Sequence, residues 1–139
     1  MSFTRGGPAT RKQFEWHYDP QTCQLLVINQ NGRELMYSLE EIRRVLSALG
    51  QRFSSDYFPL SNNAALSSDG TGKACLGTIL LEQLPNDINR TQGASYLGVI
   101  LEEAGYFQWN GKTFGIAWRL LNLDFSEGSI AARLSILDP

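Results

Sequence analysis

The sequence predicts an α+β protein: an N-terminal antiparallel β-meander, then a three-helix core closed by a C-terminal β-hairpin. Three patterns predict it. Aromatic and apolar residues alternate with polar ones between positions 14 and 37, the period-two signature of half-buried strands. Apolar residues then recur at helical spacing near 39–53, 72–84 and 92–104. Finally, residues 106–121 set two alternating aromatic runs on either side of Asn110-Gly111.

The elements follow in order. Residues 1–12 hold Arg5, Gly6, Gly7, Pro8, Arg11 and Lys12 and read as a flexible basic arm. A single globular domain is expected over 13–139. Phe14, Trp16 and Tyr18 define a first strand, and Asp19-Pro20 turns the chain. A second strand runs through Leu25 to Ile28. Asn31-Gly32 then signals a type I′ hairpin, which needs positive φ at both central residues. Leu35 to Tyr37 completes the meander, 13–37. The core spans 38–121 and an extension 122–139.

Ser38 and Glu41 form a capping box at the start of the first helix, whose apolar stripe is Ile42, Val45, Leu46, Leu49 and Phe53. Residues 54–70 form a long polar connection, with Tyr57, Phe58 and Leu60 expected to pack down. The second helix buries Leu76, Ile79, Leu80 and Leu84 before Pro85 ends it. Thr91 caps a third helix whose inner stripe is Leu97, Ile100, Leu101 and Ala104, and Gly105 fits the left-handed residue beyond its end. The hairpin sets Phe107 and Trp109 against Phe114, Ile116, Trp118 and Leu120 across an Asn110-Gly111 turn. In the extension, Ile130, Ala132, Leu134 and Ile136 alternate as in a strand, while Ile130, Leu134 and Leu137 fit a helix. The helix, capped by Ser126, is favoured.

The charge balance narrows the function. Twelve Lys and Arg against 14 Asp and Glu leave a net charge of −2. A dedicated non-specific nucleic-acid binder carries a basic excess instead. Cys23 and Cys75 lie in no CxxC or Cys/His cluster, so no metal, cofactor or disulfide framework is expected. The first dozen residues lack an apolar signal core, and no later run approaches the ~20 apolar residues of a membrane span. A cytoplasmic protein with no membrane partner is therefore expected.

The run Tyr96-Leu97-Gly98-Val99-Ile100-Leu101-Glu102-Glu103-Ala104-Gly105-Tyr106-Phe107, followed by Asn110-Gly111-Lys112 and Ile116-Ala117-Trp118-Arg119-Leu120, resembles the third helix and wing of the winged helix-turn-helix superfamily. A leucine-rich helix ending Glu-Glu-Ala-Gly-aromatic is frequent in its bacterial regulators. The likeness spans residues 71–121. It implies a winged-helix-like core and a third helix that enters the major groove while the wing touches the DNA backbone. Carried onto this chain, the groove candidates are Thr91, Gln92 and Ser95, with Tyr96 and Val99 beside them. Arg90, Lys112 and Arg119 are the backbone candidates.

The residues themselves depart from a DNA reader's chemistry. The third helix contains no Lys or Arg and ends on Glu102-Glu103. Gly93, Ala94 and Gly98 offer no group to a base edge, but they permit close approach of another protein surface. The leading expectation is a non-enzymatic module acting through a protein partner or self-association. The alternative is a sequence-specific DNA-binding regulator using Arg90, Thr91, Gln92, Ser95, Lys112 and Arg119.

Other chemistry is weaker. Asp69-Gly70-Thr71-Gly72-Lys73 has Ser67 where a phosphate loop needs Gly and Ala74 where it needs Ser or Thr, so it reads as a helix entrance. His17, the single histidine, lies on the polar side of its strand with no nucleophile in view; no catalytic residue is expected. Glu40-Glu41 and Glu102-Glu103 read as solvated charges, and Trp16, Trp109 and Trp118 as core packing rather than base-stacking platforms. A ligand pocket beneath the 54–70 loop is a third, minor reading.

Overall fold

The computed structural model describes residues 2–5, 11–60, 75–84, 93–113, 115–122 and 124–137. Its class is α+β. Strands β1 (Ser2–Phe3), β2 (Gln13–Asp19), β3 (Gln24–Asn29) and β4 (Glu34–Ser38) form an antiparallel sheet in that order. Helix α1 (Leu39–Phe53) and strand β5 (Phe58–Pro59) follow, then α2 (Leu76–Gln83), α3 (Ala94–Glu103), β6 (Phe107–Trp109), β7 (Ala117–Leu120) and α4 (Glu127–Leu137). The second sheet has the order β5-β7-β6, all antiparallel. The described residues thus hold four helices where the expected core counted three.

The meander gains a strand from the expected arm. Ser2 and Phe3 pair with Phe14 and Gln13, and the Thr4 amide donates to the Lys12 carbonyl at 2.8 Å. These residues are seated rather than free because the edge of β2 offers them backbone partners. Phe14, Trp16 and Tyr18 face inward as the alternation required.

The β3–β4 turn differs from the type I′ expectation. Asn29 pairs with Arg33, leaving Gln30, Asn31 and Gly32 as a three-residue loop. Only Gly32 has positive φ, at 81°. The Asn29 carboxamide oxygen accepts from the amides of Asn31 and Arg33, both at 2.9 Å. This side chain supports a turn that needs one left-handed residue, not two.

The helices start and stop on identifiable chemistry. Ser38 Oγ accepts from the Glu41 amide at 3.1 Å, and Glu41 Oε1 accepts from the Ser38 amide at 2.9 Å. Cys75 caps α2 through its sulfur and backbone, both paired with Thr78. Gly93, without a side-chain bond, precedes α3, and the expected cap Thr91 lies outside the described residues. At the other end, Tyr106 N bonds to Leu101 O at 2.9 Å and Gly105 N to Glu102 O at 3.1 Å, with Gly105 at φ +86°. That is a Schellman stop, and it needs a left-handed residue at Gly105.

The 122–139 segment is helical over Glu127–Leu137, and Ser126 Oγ accepts from the Ser129 amide at 3.2 Å. Ile130 and Leu134 enter the core, and α4 packs on α1 and β2. Arg133 donates to the Ala104 carbonyl at 3.0 Å and lies over the Tyr106 ring, while the Tyr106 hydroxyl meets Ser129 Oγ at 2.9 Å. One apolar cluster runs from Phe14 and Leu25 through Leu46 and Leu97 to Phe58 and Trp118.

Candidate functional site

Helix α3 carries the expected interface, so its surroundings decide the site. It packs against α2, β6 and β1. Its inner face buries Leu97, Ile100 and Leu101, as the spacing required. Its other face is occupied too. Val99 is only 3% exposed, and the Tyr96 ring meets Phe14 of β2 edge-on at 5.0 Å between centroids. The first sheet therefore packs on this face of α3 through Phe14 and Tyr96.

Two adjacent carboxylates tie this arrangement. Glu102 Oε1 accepts from the Trp118 indole at 2.9 Å and from Arg5 Nε at 3.1 Å, while Oε2 receives Arg5 Nη2. Glu103 Oε1 accepts from the Ser2 hydroxyl at 2.9 Å, and its Oε2 from the Trp16 indole at 3.1 Å. The Arg5 guanidinium also lies 4.1 Å from the Trp109 ring centroid. The expectation of solvated charges holds for Glu103, which is exposed while it accepts these bonds, and is corrected for Glu102, which is half-buried. Both sit where indole N–H groups need acceptors, and a buried donor without one is costly.

The small residues of α3 serve the same packing. Gly98 is covered by Trp118, whose Cη2, Cζ3 and Cζ2 atoms lie 2.5, 2.7 and 2.9 Å from where a β-carbon would stand. Gly98 thus admits an indole from this chain's own hairpin rather than the surface of another protein. Sequence reasoning missed this because helix and hairpin meet only in the tertiary structure.

The second sheet shows how its faces divide. Phe58, Trp118 and Trp109 stand in one cross-strand row. Phe58 and Trp118 are fully buried, and Phe107 packs edge-on against Phe58. The adjacent row faces outward: Arg119 pairs with Gln108, its Nε donating to Gln108 Oε1 at 2.6 Å, and its guanidinium lies 5.4 Å from the Tyr57 ring. Tyr57 is 45% exposed, so aromatic and cationic surface are presented together, and Leu121, 54% exposed, follows two residues after Arg119.

The hairpin connection is longer than Asn110-Gly111. Strand pairing resumes at Ala117, whose carbonyl accepts from the Asn110 amide at 3.0 Å. Gly111 and Gly115 have φ of 80° and 72°, while Asn110 does not enter the left-handed region. A type I′ turn is therefore replaced by a loop. Asn110 Oδ1 accepts from the Lys112 amide, Asn110 Nδ2 donates to Gly115 O, and the Trp109 indole donates to Lys112 O.

Of the expected interface residues, Arg90, Thr91 and Gln92 lie outside the described residues. Ser95 is half-buried, Lys112 is exposed on the loop, and Arg119 stands on the outer sheet face. The Asp69–Lys73 segment is likewise outside the described residues, as is most of the 54–70 loop, but Phe58 of that loop is buried as β5. Among the described residues, no three His, Cys, Asp or Glu side chains are grouped to hold a metal ion, and no helix is long and apolar enough to cross a membrane. No protein-family model, curated protein or solved structure matches the chain.

Proposed function

We propose that the chain is a non-enzymatic module with a winged-helix-like core, and that it acts by contacting another protein through the outer face of its second sheet. The element order supports the core: a helix, a short strand, two helices and a hairpin, with the short strand closing on the second hairpin strand. The observation that carries the function is the covered face of α3. Tyr96 meets Phe14 of the first sheet and Val99 is buried, so part of the helix face that a major groove would need is covered. The accessible face instead presents Tyr57, Arg119 and Leu121, and Tyr and Arg are enriched among residues that dominate protein interfaces.

Two measurements test the proposal. A photocrosslinking residue at position 57, in cells, should give a discrete protein adduct that Arg119→Glu removes. The same group at Glu15 on the first sheet should not. No adduct at 57 would overturn the proposal. In parallel, random duplex DNA titrated at low salt should not bind the full chain. The second reading, a DNA-binding regulator using Arg90, Thr91, Gln92, Ser95, Lys112 and Arg119, draws on the helix-then-hairpin order. It predicts salt-dependent affinity that Lys112→Ala and Arg119→Ala both lower.

A further inference from the structure

We propose that the seam between β1, α3 and the hairpin loop is a binding site for a small organic anion with a flat apolar body. A cleft of about 360 Å³ opens there, within the roughly 300–1,000 Å³ range of small-molecule sites. Its residues come from three parts of the chain far apart in sequence. Phe3, Thr4 and Arg5 come from the N-terminal segment, with Arg11 beside them, and Trp109 and Thr113 come from the hairpin. Val99 of α3 lies between.

The charges in the cleft are unevenly committed. Arg5 is held by the Glu102 carboxylate and the Trp109 ring. Both oxygens of Glu103 already accept, from Ser2 and Trp16. Arg11 differs. Its guanidinium lies 4.7 Å from the Phe3 ring centroid, and among the described residues no carboxylate is paired with it. A cation resting on a ring at the mouth of a cleft keeps its N–H donors for a ligand, and the planar fork suits a carboxylate or a phosphate. Thr4 Oγ1 accepts from the Lys12 amide at 2.8 Å, which fixes the hydroxyl at the cleft wall. Phe3, Val99 and Trp109 supply the apolar walls. Among the described residues the cleft thus sets a cation without a carboxylate partner and hydroxyl groups beside aromatic surface, the combination that fixes an anionic head and shelters a flat body. This inference is independent of the protein-contact reading, because the cleft and the Tyr57–Arg119 row use different residues.

The test follows tryptophan fluorescence of the full chain titrated with phenyl phosphate, benzoate and the neutral benzyl alcohol. The expected result is saturable quenching by one or both anions and none by benzyl alcohol, with the quenching lost in Trp109→Phe. The two anions distinguish a phosphate from a carboxylate head. Arg11→Gln should weaken binding at least about tenfold, the worth of a charged hydrogen bond, with Tm unchanged because the side chain is exposed. Thr113→Val provides a second variant at the cleft wall and should also weaken binding. Quenching by neither anion, equal quenching by benzyl alcohol, or unchanged affinity in both Arg11→Gln and Thr113→Val would overturn the assignment.

Discussion

Trp118 lies on Gly98. The indole stands so close to the helix that a β-carbon at that position would be 2.5 Å from Cη2, and Trp118 is fully buried. Replacing Gly98 by Ala should therefore destabilise the protein. A helix interior gains about 0.5–1 kcal/mol from Gly→Ala, but overpacking a rigid buried ring costs about 1–3 kcal/mol. The second effect is larger, because three ring atoms must move together. Urea unfolding should show a lower midpoint for Gly98→Ala, with part of the loss recovered when Trp118→Leu is added. An unchanged or higher midpoint would mean that the ring moves aside freely.

Glu102 is expected to matter more for its hydrogen bond than for its ion pair. The Arg5 and Glu102 side chains are 33% and 18% exposed, so solvent screens their attraction to less than about 1 kcal/mol. The indole of Trp118 has no such outlet. Glu102→Ala leaves its N–H without an acceptor, at a cost of about 1–3 kcal/mol. Glu102→Gln keeps a carbonyl oxygen and should cost less. Thermal unfolding of Glu102→Ala, Glu102→Gln and Arg5→Ala should rank them in that order of damage; equal losses for all three would assign the energy to the ion pair.

Arg133 should hold the end of α3. It donates to the Ala104 carbonyl and covers Tyr106, so Arg133→Ala should lower stability by about 1–2 kcal/mol. Gly105→Ala should cost at least about 1 kcal/mol from its left-handed backbone alone. It also brings a β-carbon within 2.8 Å of Arg133 Nη1. Because the two changes share a contact, they should be less than additive, which a double-mutant cycle by chemical denaturation measures.

An alkaline limit to stability should trace in part to Tyr18. Burial raises its hydroxyl pKa above the ordinary 10.0, with Cys23 and Asp19 adding to the effect. The folded chain then keeps a proton that the unfolded chain releases. The stability this group contributes is complete below about pH 10 and is lost as pH rises through the folded value. Tyr18→Phe should flatten the decline in Tm on the alkaline side while leaving the neutral region little changed. A decline of identical steepness in Tyr18→Phe would place the titration elsewhere.

What the sequence alone determined was local. Alternation placed Phe14, Trp16 and Tyr18 on one face, apolar spacing located α1, α2 and α3, and Ser38 with Glu41 marked a helix start, because period and capping act within a few residues. Gly105 was legible for the same reason. The two Asn-Gly turns were only half legible. A dipeptide reports that a turn occurs, while its length depended on Asn29 and Asn110, whose side chains bond across the loops. Tertiary structure alone decided the fate of α3. Ser2, Arg5, Trp16 and Trp118 converge on Glu102 and Glu103 from as far as 101 positions away, and no periodicity encodes such a meeting. An indole donor buried at a helix end must find an acceptor, and only folding shows which carboxylate it finds.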